Sequence, residues 1–498
     1  MRTISQILAE GDPLVIHTLL TGRKKPFALS LEESERQYDP TQHKVFDNNY
    51  RKKKRINVPT DKKDPVTGLT IYKTKQVERV RIALPLQRVI VERAVGFLLG
   101  NAVEYRVSNK DDNSTSDERQ NKLYNAVMKV FHQNKMQYFD KKLARAVFRA
   151  REAAELWYMP TDAEGRIDMD GKVRVKLLSP VDGDKLYPHF NNYDRMDGFA
   201  REYKVYDESG TAENHFDVYD DRFVYRYIDK GNLWEAVGAP LRHGFSKIPV
   251  VYYRQENSEW EDVQPEIERV EDLLSNWGDT NDYFGTPKYF VKGKLLGFAE
   301  KGEQGSVFQG EKDTAMNVLS WDNSPTSIAG ELGNLFNIIF SYTHSADISF
   351  ERMKEVGNNT SGAAIRLMLI DPHMNAQTKT ELFGEMFTRR CNIVANGICE
   401  TGIVERGIPA SVAQDIDFEP LFKPYMPKND VEQLQLIQTA TRGAATTSRR
   451  RGIELNPLND DPDRVEQEIN EETQQAMALA AMAQGVGESS DNAIEQEE

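Results

Sequence analysis

Apolar residues at Val263, Ile267, Val270, Leu274, Trp277 and Phe284 follow one another at intervals of 4, 3, 4, 3 and 7. This is the spacing of a heptad seam, and it predicts a helix over 261–285. A seam of that kind is stable only against other helices. About 22 residues at 1.5 Å rise make a rod of roughly 33 Å. A second series, Ile328, Leu332, Leu335, Ile339 and Tyr342, predicts a partner helix over 327–343. The segment between them, 286–325, is punctuated by Gly293, Gly297, Gly302, Gly305 and Gly310 and holds strand-like Tyr289–Lys292 and Asn317–Trp321. The chain thus goes out along one rod, builds a small domain and returns along another.

Upstream the pattern is mixed. The first fifty residues read as helix fragments and loops. A helix follows Pro85, with Leu86, Val89, Ile90, Arg93 and Phe97 in helical rhythm and Gly100 as its stop, and a short strand follows at 103–108. A helical zone is predicted over 115–155. From Leu156 to about 253, short alternating runs such as Phe199–Tyr206, His215–Tyr219 and Phe223–Tyr227 are separated by turn clusters, so an antiparallel β region is expected. Downstream, a polar segment at 345–360 opens into a long helix over 361–400 that Pro372 should kink or split. A proline-punctuated strand over 415–428, helices over 429–445 and 461–483 and an acidic flexible tail from Gly485 complete the chain. The fold class is α+β.

With 39% hydrophobic residues and 20 Tyr, 22 Phe and 5 Trp among 498, the chain can bury a sizeable core. Cys391 and Cys399 are too few for a disulfide framework or a four-ligand zinc site. No segment approaches the roughly 20 apolar residues of a membrane helix, and Met1–Gln6 does not open a signal peptide, so no membrane role is expected. The net charge of −14 conceals a gradient: residues 1–100 carry +8 and the remainder −22. The basic excess peaks at Arg51–Arg55, a run suited to phosphates, to acidic surfaces, or simply to solvent. Residues 256–286 hold ten carboxylates against Arg269 alone. Such surfaces do not grip DNA.

Catalytic signatures are missing. There is no phosphate-binding G-x-x-x-x-G-K-[ST] loop, H-E-x-x-H, G-x-S-x-G or G-x-G-x-x-G. The eight histidines stand singly, which suits surface or packing positions. Asp168 and Asp170, and Asp217, Asp220 and Asp221, fall at hairpin turns, where aspartate caps backbone. No catalytic residue, metal ligand or cofactor is expected; the chain is not an enzyme on this reading, and a structural or assembly role is favoured.

Several strings follow one another along the chain: Arg88-Val-Ile-Val-Glu-Arg-Ala-Val-Gly-Phe-Leu-Leu-Gly100 with Val103-Glu-Tyr105, Phe139–Phe148, and Leu177-Leu-Ser-Pro-Val-Asp182. His243-Gly-Phe-Ser-Lys-Ile-Pro-Val-Val-Tyr-Tyr253 and Ser361-Gly-Ala-Ala364 complete the series. In this order, over about residues 80–470, they resemble the portal proteins of long-tailed bacteriophages. The resemblance implies a portal fold: a mixed α/β wing (N-terminal part, 1–254), stem helices at 255–285 and 327–344, and a small α/β clip at 286–326. A tunnel loop at 345–360, a long wing helix with its return strand at 361–428, a helical crown at 429–484 and the tail at 485–498 follow.

It further implies a homo-oligomeric ring of about twelve subunits at one capsid vertex, through which double-stranded DNA is packaged and ejected without sequence-specific binding. Implied partners are the terminase large subunit, the major capsid and scaffold proteins, and head-completion or adaptor proteins. The protein would assemble in the host cytoplasm and reside in the virion. Channel-lining carboxylates are expected among Glu266, Asp272, Asp279 and Asp282, with an acidic outer face as the alternative. Tunnel-loop contacts with DNA fall to Asp347, Phe350, Arg352, Lys354 and Asn358, with Arg352 and Lys354 reaching phosphate. Lys288, Lys292, Lys294 and Trp321 are expected to dock partners at the clip, and Arg449, Arg450 and Arg451 to face DNA or an acidic neighbour in the crown. Two other readings share the composition: a metal-dependent nucleic-acid-processing enzyme, and a minor capsid or scaffold component without a channel.

Overall fold

The structure is a computed structural model. It describes residues 4–68, 70–107, 118–161, 167–168, 171–231, 233–284, 288–292, 295–297, 309–310, 315–319, 325–345, 367–423, 425, 430–442, 445–459 and 461–494. These form two compact units, Met1–Ile348 with Ile370–Tyr425 and Ser349–Leu369 with Met426–Glu498. Helix and strand make up 49% and 22% of the chain in segregated runs, which is an α+β organisation.

The larger unit opens with α1 (Ile4–Glu10), α2 (Pro13–Gly22) and α3 (Leu31–Tyr38). Asp12 and Ser30 cap the latter two by accepting from Leu14 N and Glu33 N. Two single 3-10 turns, Pro40–Gln42 and Lys44–Phe46, follow. Next comes an element the sequence reading missed: β1 (Lys54–Lys63) pairs antiparallel with β2 (Thr70–Val77) as an exposed two-stranded hairpin.

Then come α4 (Leu86–Leu99), β3 (Glu104–Val107), α5 (Glu118–Gln133) and α6 (Met136–Ala150). The helical zone expected over 115–155 is therefore two helices. Lys135 adopts a left-handed conformation (φ 52°), and the Asn134 side chain clamps the corner by donating to the carbonyls of Val130 and Val173. The zone also stops early, at Ala150, because left-handed Arg151 (φ 65°) turns the chain into a strand.

The β region has β4 (Glu152–Tyr158), β5 (Arg174–Leu178), β6 (Lys185–Phe190), β7 (Met196–Tyr206), β8 (Ala212–Tyr219), β9 (Phe223–Asp229), β10 (Trp234–Ala236), β11 (Leu241–Arg242) and β12 (Val250–Arg254). β10-β9-β8-β7-β6 form an antiparallel meander with β11 added to β9, and β12-β4-β5 form a second sheet. A 3-10 turn at Glu261–Val263 leads into α7 (Gln264–Phe284). β13 (Lys288–Lys292), β14 (Leu295–Gly297), β15 (Gln309–Gly310) and β16 (Ala315–Leu319) pair as β13-β16 and β14-β15 before α8 (Pro325–Tyr342).

α9 (Ile370–Thr401) is the long helix. Pro372 lies in its first turn, where its missing N–H costs nothing; Leu367 and Met368 just upstream are helical and Leu369 breaks the run as a turn, so the helix is interrupted next to the proline, as expected. The expected start at Ser361 lies outside the described residues. α10 (Val412–Asp415) and β17 (Phe418–Leu421), the latter paired with β3, close this unit. Its main core joins Val91, Leu123, Val127, Leu143, Val147, Trp157, Val251, Phe383, Phe387 and Val394 with the seam residues Val263, Ile267 and Val270. Cys391 is buried among them.

The smaller unit consists of α11 (Asp430–Thr441), α12 (Arg449–Leu455) and α13 (Pro462–Ile494). α12 was not foreseen. Ser448 caps it, and Gly452 brings it against α11, where a Cβ would stand 2.9 Å from Thr441 Cγ2. α13 runs through Ile494, well into the segment expected to be a flexible tail. Residues 474–483, rich in Ala, Met, Leu and Gln, are strong helix formers that carry it there.

Candidate functional site

The carboxylates of α7 are divided between two uses. Glu271, Ser275 and Asp279 form a polar stripe beside the apolar seam at intervals of four residues. Against it lies the extended segment before α4. Leu84 N donates to Glu271 Oε1 (2.8 Å), Ile82 N to Ser275 Oγ (2.9 Å) and Val80 N to Asp279 Oδ1 (3.1 Å). The match is metric: two residues of extended chain advance about 6.6 Å and four residues of helix about 6.0 Å. Gly278 allows the approach, since a Cβ there would meet Val80 Cγ1 at 2.6 Å.

A basic strap, residues 43–51, reinforces the stripe. His43 Nδ1 lies 2.7 Å from Glu271 Oε1 and Lys44 Nζ lies 2.6 Å from Glu268 Oε2. Tyr50 donates its hydroxyl to Asp272, and that carboxylate pushes the phenol up to about 12. Arg51, only 6% exposed, donates to Asp279 Oδ2 (2.7 Å), Asn276 Oδ1 (3.0 Å) and the Val80 carbonyl (2.8 Å). The basic run at 51–55 therefore splits: Arg51 is internal, while Lys52, Lys53 and Arg55 are exposed.

Asp272 and Asp279, two of the four residues expected to line a channel, thus have partners within their own chain. Asp282 is exposed. Glu266 is half-buried, and its Oε2 is shielded from water without a hydrogen-bond partner. The strap and the stripe were missed; their one sequence signal is the Glu271-x-x-x-Ser275-x-x-x-Asp279 spacing.

Of the residues expected at the small domain, Lys292 is exposed on β13, Lys288 is placed by backbone alone, and Lys294 and Trp321 lie outside the described residues. So do Asp347, Phe350, Arg352, Lys354 and Asn358. The three arginines of α12 do not act alike. Arg450 reaches Asp463 (2.7 Å), Glu454 (3.3 Å) and Glu466, and Arg451 reaches Glu454 (2.8 Å). Arg449 is exposed.

The turn aspartates serve local structure. Asp220, 2% exposed, accepts from Arg222 N (2.8 Å) and Phe223 N (2.6 Å), and Asp217 accepts from the Tyr203 hydroxyl (3.1 Å). Asp168 is described and Asp170 is not. Among the described residues no group of three or more His, Cys, Asp or Glu could hold a metal ion.

Deeper in the larger unit lies a buried ionic cluster. Arg390 donates through Nε to both Glu155 oxygens (2.9 and 3.1 Å) and through Nη1 to the Tyr105 hydroxyl (3.2 Å). Trp157 Nε1 also donates to Glu155 (3.0 Å). Asp140 Oδ1 stands 2.7 Å from Arg390 Nη2 without hydrogen-bond geometry, and burial pushes its carboxyl up to about 6. The cluster ties α6, α9 and β4 together inside the core and is closed to ligands.

A family model described as phage portal protein, SPP1 Gp6-like, matches residues 30–478 of the 498. The chain belongs to this family. It is a bacteriophage portal protein, a capsid component of the DNA-packaging apparatus. Portal membership carries with it an oligomeric ring at the capsid vertex, associated with capsid and terminase, and a structural rather than an enzymatic role. No curated protein matches this portal chain significantly. Among its described residues no helix is long and apolar enough to cross a membrane.

Proposed function

We propose that about twelve copies of this portal close into a ring whose central channel carries double-stranded DNA during packaging and ejection. α7 and α8 are the stem helices and the 286–326 segment is the clip. The observation that carries this reading is the division of acids on α7. The Glu271–Ser275–Asp279 stripe and the strap are used up inside the subunit, and Asp282 is left exposed toward the end of the rod.

Duplex DNA presents a phosphate charge about every 1.7 Å of axis, and a matching cationic wall would hold it by counterion release. A carboxylate wall keeps the duplex centred and mobile. Asp282 supplies that wall; Glu266, about 160° round the helix from it and half-buried, drops out. Asp272 and Asp279 drop out of the lining because tyrosine and arginine already occupy them. Arg352 and Lys354 of the 345–360 loop meet phosphates at the constriction. Lys292 docks the terminase large subunit and then the head-completion proteins, and Arg449 faces DNA in the crown. Scaffold and major capsid proteins meet the outer wing during assembly in the host cytoplasm.

The test is charge reversal of an exposed residue, Asp282→Lys. Rings should form as in the wild type, and packaged DNA per particle should fall severalfold. Unchanged packaging by intact rings would remove Asp282 from the channel wall.

A further inference from the structure

A cavity of about 650 Å³ opens between α9, the segment leading into β12 and the β6–β7 turn. Three cations line it: Arg195 from the turn, Lys247 from the segment before β12, and Arg389 from α9. None has a carboxylate within ion-pairing distance among the described residues. Among the described residues Arg389 makes one hydrogen bond, a long one from Nε to the Val250 carbonyl (3.4 Å), so its two terminal nitrogens remain for a ligand. Lys247 is half-buried. Burial, with Arg389 and Arg195 close by, lowers the pKa of its ammonium. Arg389 is lowered for the same two reasons, burial first and Arg195 second, with Glu385 opposing. Like charges thus converge in a partly desolvated recess.

Three carboxylates share the wall: Glu385, exposed one helical turn before Arg389, offsets part of its charge without pairing with it among the described residues. Asp197 is engaged by His189 Nδ1 (2.5 Å), which is in turn held by Arg23 Nη1 (2.7 Å). Asp221 is exposed beside Arg222. The other walls complete a binding site: Asn392 adds an amide, and Ile4, Met196, Ile248 and Ile393 make an apolar side. The volume falls within the usual range for small-molecule sites.

We propose that this cavity binds a phosphorylated small molecule of about nucleotide size. Its phosphates lie against Arg389, Lys247 and Arg195, and its organic part lies against the aliphatic wall that Ile4 completes. Arg389 offers the planar fork that matches phosphate oxygens, Lys247 a point charge, and Arg195 an exposed gatepost that draws the anion in. The site is separate from the acidic helix and from every residue assigned to DNA or to partner docking above.

The experiment is calorimetric titration of the full-length protein, in whatever assembly it forms, with inorganic pyrophosphate, with ADP and with citrate. Saturable, salt-sensitive binding is expected, with ADP tightest and citrate weakest. Arg195→Glu, a change on an exposed side chain that cannot disturb the core, should weaken pyrophosphate at least tenfold. Lys247→Met with Arg389→Gln should abolish binding. Thermal stabilisation by pyrophosphate, lost in Arg195→Glu, reports the same site by mass action. Absence of saturable binding at millimolar pyrophosphate, or equal affinity in Arg195→Glu, would overturn the site. Citrate binding more tightly than ADP would overturn the assignment to phosphate.

Discussion

Arg51 and Asp279, 228 residues apart in sequence, form an ion pair of 2.7 Å that closes the basic strap onto the acidic helix. The guanidinium is almost fully buried and the carboxylate mostly so, and Asp279 also accepts from Val80 N. The arginine that begins the most basic run of the chain is thus a fastener for α7.

Breaking that fastener should be costly. Arg51→Ala leaves a shielded carboxylate with one donor fewer, and a loss of about 2–3 kcal/mol is expected. Asp279→Ala should cost a similar amount. Urea denaturation of both singles and the double should show coupling, because the second change no longer breaks the ion pair and removes only the contacts with Val80 or Asn276. Strict additivity would mean the pair does not interact.

The cluster around Arg390 sets a larger penalty. Arg390→Ala leaves the Glu155 carboxyl in the core without its cation, with the Tyr253 and Trp157 donors remaining. A loss of about 3–5 kcal/mol follows. Lys25→Ala, on an exposed side chain beside Glu256, should cost under about 1 kcal/mol in the same denaturation series.

Asp140 gives the larger unit a pH signature. Burial raises its carboxyl to about 6 from an unfolded value near 3.8. The folded state therefore holds a proton that the unfolded state has released, and the stability this contributes is present below pH 4 and lost as pH rises to 6. Asp140→Asn removes the effect. Between pH 4 and 6 the variant should gain stability relative to wild type in equilibrium unfolding. A constant difference across that window would contradict the assignment.

Gly397 should resist replacement although it lies inside α9, where alanine ordinarily helps by roughly 1 kcal/mol. A Cβ would stand 2.5 Å from Phe245 Cε1 and 3.0 Å from Met159 Cε. Gly397→Ala should lower the melting temperature. Gly330→Ala, where nothing lies within 4 Å, should raise it.

Elements that bury one face were legible in the sequence. The 4-3 spacing of Val263, Ile267 and Val270 located α7 because all three reach the core, and the alternation through Phe216 and Val218 located β8 for the same reason. The β1–β2 hairpin was illegible because neither face is buried: Arg55 and Lys75 stay exposed beside Val58 and Tyr72, and no period-two signal survives. The α5–α6 break was hidden because a lysine, rather than a glycine, takes the left-handed position. Ten acids on and around α7 were visible as a charge block. Their division was not, because it depends on His43, Tyr50, Arg51 and the Val80–Leu84 backbone, which lie more than 180 residues away.

Native mass spectrometry of the purified full-length protein, paired with negative-stain imaging, tests the central claim most directly. The account predicts closed rings of about twelve subunits around a central hole. Monodisperse monomers at high protein concentration would contradict it.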